Sequence, residues 1–202
     1  MPAPQRRLWH DDRHRQLLEV AEALLSKRGW DGLRIPDLAE AAGVTRPIVY
    51  KHFRSRKELV IELVRAYAGR LQTMLLDAAN TYPREPERAL KLSLDVLCDA
   101  LEERGPGAWY LLTSGGPDPE INRAIEALRD GLMRPWIPRV RKVTGLSARH
   151  ALLLCHLTFA SVRTVLDLWA AKKLSRSEVE RVLSRSISAQ LREFASDGGG
   201  DF

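Results

Sequence analysis

Apolar residues recur along most of this chain at the three-to-four-residue spacing of amphipathic helices, whereas the alternation typical of strands is nearly absent. The first apolar stripe covers residues 17–25 and stops near Gly29. Further stripes follow, separated by segments rich in glycine and proline. The pattern predicts an all-α protein of about nine helices, three of them in an N-terminal helix-turn-helix domain.

The segment 34–59 predicts two short helices joined by a tight turn, and then the start of a long helix. Pro36 starts the first short helix and Gly43 ends it. Thr45 can cap the second short helix, and Pro47 lies in its first turn, where a missing N–H group costs nothing. This arrangement is a helix-turn-helix, a motif whose second helix lies in the major groove of DNA.

Serine and glutamate at a three-residue spacing mark the start of two long helices. Ser55 and Glu58 predict the start of the fourth helix, and Ser175 and Glu178 predict that of the ninth. Ser147 opens an eighth helix that extends to about residue 173. Two prolines near residue 136 disturb the seventh helix, because proline cannot donate a backbone hydrogen bond.

The second helix of the motif has an apolar side and a basic, aromatic side. If Val49 and Phe53 point into the core, the helical period turns most of their neighbours outward. Arg46 and Lys51 can then donate to O6 and N7 of guanine, and Ile48 can pack on a thymine methyl group. The predicted DNA-contacting residues are Thr45, Arg46, Pro47, Ile48, Tyr50, Lys51, His52 and Lys57.

Composition is that of an ordinary globular chain: 202 residues, 45% hydrophobic and 29% charged. The net charge of +6 leans towards the N-terminal third, which favours a polyanionic partner there. Cys98 and Cys155 lie far apart in apolar helical segments, so we expect buried free thiols. The charged N-terminus predicts no signal peptide, and no uncharged stretch approaches membrane-spanning length. We therefore expect a cytoplasmic protein that binds no membrane, metal or cofactor.

The helix-turn-helix segment resembles the DNA-binding domain of the tetracycline-repressor (TetR) family over about residues 13–65. The pattern departs from the family at three places. Arg34 stands where the family usually has a capping threonine, Ile48 replaces a residue that is often small or polar, and the basic position is split as Arg56-Lys57. We assign the family's phosphate contact to Lys57. The matching residues are Leu38-Ala39, Ala42-Gly43-Val44-Thr45, Val49-Tyr50, His52-Phe53, Ser55 and Leu59.

The resemblance implies a helix-turn-helix domain over residues 1–54 and a regulatory, dimerising domain over 55–195, before a Gly-rich tail at 196–202 that we expect to be disordered. Leu152, Leu154 and Leu168 lie on different faces of the eighth helix, which suits packing against both the core and a partner subunit. We expect two helices per subunit to form a four-helix dimer interface. Its predicted residues are Leu154, Val165, Trp169, Val179, Val182, Leu183, Ile187 and Leu191.

A small-molecule pocket is the second expectation that the resemblance carries. Arg149, His156 and Arg163 recur every seven residues, with Asp167 one turn further on. This polar stripe is either a solvated rim or an anchor for an acidic group of a ligand. Apolar and aromatic residues of the middle region can form the wall of a pocket for a hydrophobic ligand. The predicted ligand residues are Leu94, Cys98, Trp109, Tyr110, Met133, Trp136, His156, Phe159 and Arg163.

These features together predict a homodimeric regulator that binds double-stranded DNA, most simply a repressor released from a palindromic operator by a small hydrophobic effector. Two alternatives stay open. An all-helical enzyme needs paired carboxylates or a Glu-x-x-His pattern on facing helices, and the chain has neither that pattern nor a phosphate loop. A helical adaptor could keep the fold without reading DNA.

Overall fold

The computed structural model describes residues 4–82, 85–116 and 118–196, and every regular element in these ranges is a helix. Ten α-helices are separated by short loops, and two 3₁₀ turns lie at Trp30–Gly32 and Arg134–Trp136. The α-helices are α1 Pro4–Arg28, α2 Ile35–Ala41, α3 Arg46–His52, α4 Arg56–Thr81, α5 Pro86–Arg104, α6 Gly107–Ser114, α7 Pro119–Met133, α8 Ile137–Thr144, α9 Ala148–Ala170 and α10 Arg176–Ser196.

The all-α prediction is confirmed, with one more helix than the expected nine. The predicted seventh helix is two helices, because Pro135 and Pro138 interrupt it: α7 ends at Met133, a 3₁₀ turn follows, and α8 begins at Ile137. The predicted break near residue 84 and the predicted disordered tail lie largely outside the described residues, as does Pro117.

Helix starts follow the predicted caps in most cases. Ser175 and Glu178 form a complete capping box, since Ser175 N–H donates to Glu178 Oε2 at 2.7 Å and Glu178 N–H donates to Ser175 Oγ at 3.4 Å. The Ser147 side chain accepts from the His150 N–H at the start of α9. At α4, Glu58 N–H donates to Ser55 Oγ, while the Glu58 carboxylate accepts from the Arg54 N–H.

The predicted Thr45 cap is not seen in the structure, whereas the start of α2 is as expected. Thr45 stands at the N-cap of α3 but, within the described residues, its side chain makes no capping hydrogen bond. Arg34 precedes α2 in the same way, so this helix starts with proline in its first turn and without a side-chain cap, as expected from the missing threonine.

The chain divides into two compact units, and their boundaries differ from the predicted domain boundary after residue 54. The first unit contains Met1–Gly69 and Leu101–Glu126, and the second contains Arg70–Ala100 and Ala127–Phe202. The first part of α4, the end of α5, and α6 therefore belong to the same unit as the helix-turn-helix.

The core of the first unit forms where α1 packs on α2 and α6. Leu17, Leu38, Val49, Phe53 and Trp109 are all buried there. The end of α5 is tied to α1 by two polar contacts: Ser26 Oγ donates to the Arg104 carbonyl at 2.9 Å, and the Arg104 guanidinium lies 3.4 Å from the buried Glu22 carboxylate. This pairing gives the buried carboxylate a counter-charge.

In the second unit, α8, α9 and α10 pack on one another. Their core contains Leu146, Ala151 and Leu154, surrounded by Ile137, Val140, Leu191 and Phe194. Arg176 at the start of α10 pairs with Asp99 of α5 at 2.7 Å and with Glu180 of its own helix at 2.8 Å. Cys98 and Cys155 are buried, as predicted, and burial raises the pKa of the Cys155 thiol.

Candidate nucleic-acid interface

The turn between α2 and α3 is a Schellman motif closed by Gly43. The Val44 N–H donates to the Ala39 carbonyl at 2.9 Å, and the Gly43 N–H donates to the Glu40 carbonyl at 3.1 Å. Gly43 has a φ of +64°, which favours glycine because a β-carbon is strained there. This turn sets the direction in which α3 leaves α2.

Helix α3 turns its apolar side inward and its basic, aromatic side outward. Val49 and Phe53 are fully buried, which confirms them as the anchors of the helix. Arg46, Pro47 and Lys51 are exposed, and 52% of Tyr50 is exposed. The surface that we expect to meet a major groove is therefore open to solvent, and this surface, Arg46 to Lys51, is here called the α3 face.

Two other predicted contacts lie at the border of the α3 face. Ile48 and His52 are half-buried. The His52 ring lies 5.7 Å from the ring of His14 on α1, measured between centroids, and His14 Nε2 is 2.9 Å from the Glu62 carboxylate. His52 is thus packed against α1, which leaves its ring less accessible to a phosphate than Tyr50 or Lys51.

The two basic residues at the start of α4 make different contacts. The Arg56 guanidinium donates to the carbonyls of Leu33 at 2.6 Å and Trp30 at 2.5 Å, and it stacks 4.5 Å above the Trp30 ring. Arg56 thereby joins α4 to the segment between α1 and α2. Lys57 does not take part in this junction, and its contact with a DNA phosphate stays a prediction.

Lys57 is nevertheless engaged within its own unit. Its ammonium group lies 3.2 Å from a carboxylate oxygen of Asp118 and contacts the carboxylate of Glu120. Hydrogen bonds to Glu120 and Asp118 raise the pKa of Lys57. Sequence reasoning missed both acids, because they stand about sixty residues away along the chain and nothing local marks them as partners.

The predicted ligand residues are divided between the two units. Trp109 and Tyr110 belong to the first unit, where Trp109 is buried and Tyr110 is exposed. In the second unit Leu94 and Cys98 are buried in α5, whereas Met133, Trp136, Phe159 and Arg163 are half-buried and His156 is exposed. An open groove of about 490 Å³ between α5 and α10 includes Leu94 but otherwise has mostly polar and charged walls.

Half of the predicted dimer residues are already buried inside a single chain. Leu154, Val179, Leu183 and Ile187 have little surface left for a partner, because they fill the core beneath α9 and α10. Val165, Trp169 and Leu191 are half-buried, and Val182 is exposed. These four retain surface that a second subunit could cover.

Helix α9 carries apolar surface that the predicted interface omitted. Leu157 is 60% exposed, and Leu153 and Leu168 are exposed as well. Among the described residues, α9 is long and apolar enough to cross a membrane, as core helices of soluble proteins also can be. Only 22% of its most apolar 18-residue stretch is buried. The leucine run at 152–154 was a usable signal, but the face that points outward depends on the packing of α8 and α10.

The fold and the exposed α3 face define the class: an all-α helix-turn-helix protein with a second helical unit. Residues 17–63 match the family model described as bacterial regulatory proteins, tetR family. The crystal structure of a TetR-family transcriptional regulator from Streptomyces coelicolor superposes with a TM-score of 0.67 and 27% identity, covering 92% of this chain and 83% of that one. Over residues 17–63 the chain thus carries a helix-turn-helix domain of the TetR type.

Relatives with assigned roles are transcription regulators. The HTH-type transcriptional regulator EthR of Mycolicibacterium smegmatis is 27% identical over 137 residues, which are 63% of this chain and 57% of EthR. The HTH-type transcriptional repressor KstR2 of Mycobacterium tuberculosis is 32% identical over 78 residues, 39% of each chain. The matched region thus spans little more than half of EthR.

Proposed function

We propose that this protein is a homodimeric transcription repressor that binds a palindromic DNA operator through the α3 face and is released by a small hydrophobic effector. The observation that carries the proposal is the α3 face itself: Arg46, Tyr50 and Lys51 stand exposed on a helix anchored by two buried residues. Two such helices in a dimer, about one DNA turn apart, read two half-sites. Such a regulator acts in the bacterial cytoplasm.

Dimerisation is supported by the exposed leucines of α9 together with Val182 of α10. Apolar surface of this kind on a long helix is stabilised when a second copy covers it, and a two-fold axis lets the same face meet itself. Repression of transcription, as opposed to activation, is supported by the likeness to KstR2, which is named a repressor.

The effector is proposed to be apolar because the middle helices supply mainly apolar and aromatic side chains. Leu94, Cys98, Met133, Trp136 and Phe159 of the second unit are candidates for contact with it. An effector that binds better to a conformation with a different helix spacing would weaken DNA binding by the ratio of its two affinities.

Selection of genomic fragments by the purified protein tests the proposal. We expect a recovered site with two inverted half-sites, bound more weakly as salt increases. A protein that binds no DNA at low salt would be a helical adaptor instead.

Two substitutions separate base reading from phosphate contact at that site. Lys51→Ala should cost about 1–3 kcal/mol on the selected site and relax the preference at one base position, because Lys51 is placed to meet a guanine edge. Lys57→Ala should weaken binding to all sequences and lower the slope of log affinity against log salt concentration by up to about one. Gel shifts at several salt concentrations on selected and scrambled duplexes measure both, and equal behaviour of the two variants would contradict the assignment.

A further inference from the structure

The start of α7 places two carboxylates against the lysine that we assign to DNA phosphate. Asp118 and Glu120 approach the Lys57 ammonium from the α6–α7 side, so three side chains from two distant segments form one charged group, here called the Lys57 cluster. A carboxylate and a phosphate oxygen are equivalent partners for an ammonium group. While the cluster is intact, Lys57 is therefore occupied by a group that competes with DNA.

Asp118 is held in place by the helix that it caps. Its Oδ1 accepts from the backbone N–H of Glu120 at 2.8 Å and of Ile121 at 3.3 Å, while its Oδ2 faces Lys57. Although desolvation opposes the shift, the backbone hydrogen bonds and Lys57 lower the pKa of Asp118. The carboxylate thus keeps its charge near neutral pH and stays beside the lysine.

Gly116, two residues before Asp118, lies against the segment between α1 and α2. The Gly116 N–H donates to Asn122 Oδ1 at 2.8 Å, and a β-carbon at Gly116 would lie 3.0 Å from the Trp30 ring. Trp30 carries the Arg56 guanidinium on its face, one residue before Lys57 in the chain. The same tryptophan therefore lies against Gly116, near the acids, and against Arg56, which precedes the lysine.

We propose that Asp118 and Glu120 lower the DNA affinity of this protein by holding Lys57 in an ion pair that a DNA phosphate must displace. The inference rests on the proposed DNA-binding function and adds two residues that set its strength without touching DNA. Binding exchanges one ion pair for another, so the net gain from Lys57 is smaller than that of a free lysine. The placement of Asp118 and Glu120 beside Lys57 therefore lowers the contribution of this lysine to binding.

The test measures binding to a random-sequence duplex, because a phosphate contact acts on every sequence. In the variant Asp118→Asn/Glu120→Gln, asparagine keeps an acceptor at the cap of α7 while both charges are removed. We expect this variant to bind about two- to fivefold more tightly than wild type, the range that corresponds to an exposed ion pair. The slope of log affinity against log salt concentration should be steeper by up to about one. In wild type the carboxylates released from Lys57 take up cations when DNA binds, and the variant has no such carboxylates.

The Lys57→Ala background distinguishes the cluster from a general change in charge. There the same two substitutions should produce at most about twice the effect of Glu40→Gln, because they remove two acids and this control removes one exposed acid of α2 outside the cluster. An equal gain with and without Lys57, or no gain, would overturn the inference. Thermal unfolding of each variant shows whether it is folded. Wild-type protein that binds no duplex at low salt would instead refute the proposed function.

Discussion

At the residue scale, single side chains join segments that the helical pattern leaves separate. The Arg56 guanidinium satisfies two carbonyl groups and covers an aromatic ring, a combination that a lysine could not reproduce because it lacks the planar fork of donors. A close approach between two backbone segments also joins distant parts of the chain. Gly107 at the start of α6 lies against the backbone of α1 at Leu25 and Ser26.

Gly107→Ala should destabilise the protein by about 1–3 kcal/mol, because the new β-carbon would lie 2.7 Å from the Ser26 nitrogen and 2.9 Å from the Leu25 carbonyl carbon. Backbone atoms cannot move aside as a flexible side chain can. Urea unfolding followed by circular dichroism measures the loss. The matched control is Gly69→Ala in α4, where a β-carbon meets nothing within 4 Å. That change should stabilise by about 0.5–1 kcal/mol, and equal effects at the two sites would contradict the close approach.

At the element scale, helix ends are fixed by short polar contacts that differ in kind. Helix α10 has a reciprocal capping box, whereas α2 and α3 start with proline in the first turn and without a side-chain cap. The α2–α3 pair depends instead on the glycine turn and on burial of the apolar side of α3. Its stability therefore comes from packing on α1 more than from its own ends.

Glu178→Ala should lower the melting temperature near neutral pH, because hydrogen bonds from the Ser175 hydroxyl and N–H hold the pKa of Glu178 below its ordinary value of 4.5. A lowered pKa in the folded state means that the stabilisation is complete above the ordinary value and is lost as pH falls through the lowered one. The difference in melting temperature between variant and wild type should thus be largest at about pH 7 and should shrink below about pH 4.

Calorimetry across that pH range measures the change. Glu19→Ala serves as control, since Glu19 is exposed in the interior of α1 and lies at no helix end. A difference for Glu178→Ala that stays constant down to acid pH would show that the carboxylate does not hold the cap.

At the scale of the whole molecule, α9 is apolar on more sides than one chain can cover. Its inner face fills the core with Leu154 and Leu166, while Leu153 and Leu157 remain exposed. Burial of such side chains is worth about 1.5–3 kcal/mol each, which favours a second copy as the cover.

Leu157→Glu should raise the dimer dissociation constant at least about tenfold, because it places an unpaired charge in the proposed interface. Light scattering after size exclusion, over a dilution series, measures the shift from dimer to monomer. Val143→Glu is the matched control, as Val143 is an exposed apolar residue of α8 outside the proposed interface. Wild-type protein that remains a monomer at all concentrations would refute the interface itself.

Much of the fold could be predicted from the sequence, because local interactions determine the helices and turns. Helical spacing, serine–glutamate caps and glycine stops act within one or two turns, so the start of α10, the α2–α3 turn and the buried anchors Val49 and Phe53 could be predicted from their neighbours alone. The split of α7 from α8 was only partly foreseen, since a proline can either bend a helix or end it.

The sequence by itself determined most of the helices, the helix-turn-helix and which side chains of α3 face outward, because each depends on residues a few positions apart. Only the tertiary structure decided which leucines of α9 are covered, that Arg56 faces Trp30, and that Lys57 meets Asp118 and Glu120. Those outcomes depend on how distant helices pack. The residues next to a charged residue or a leucine in the sequence do not indicate which distant residue will pack against it.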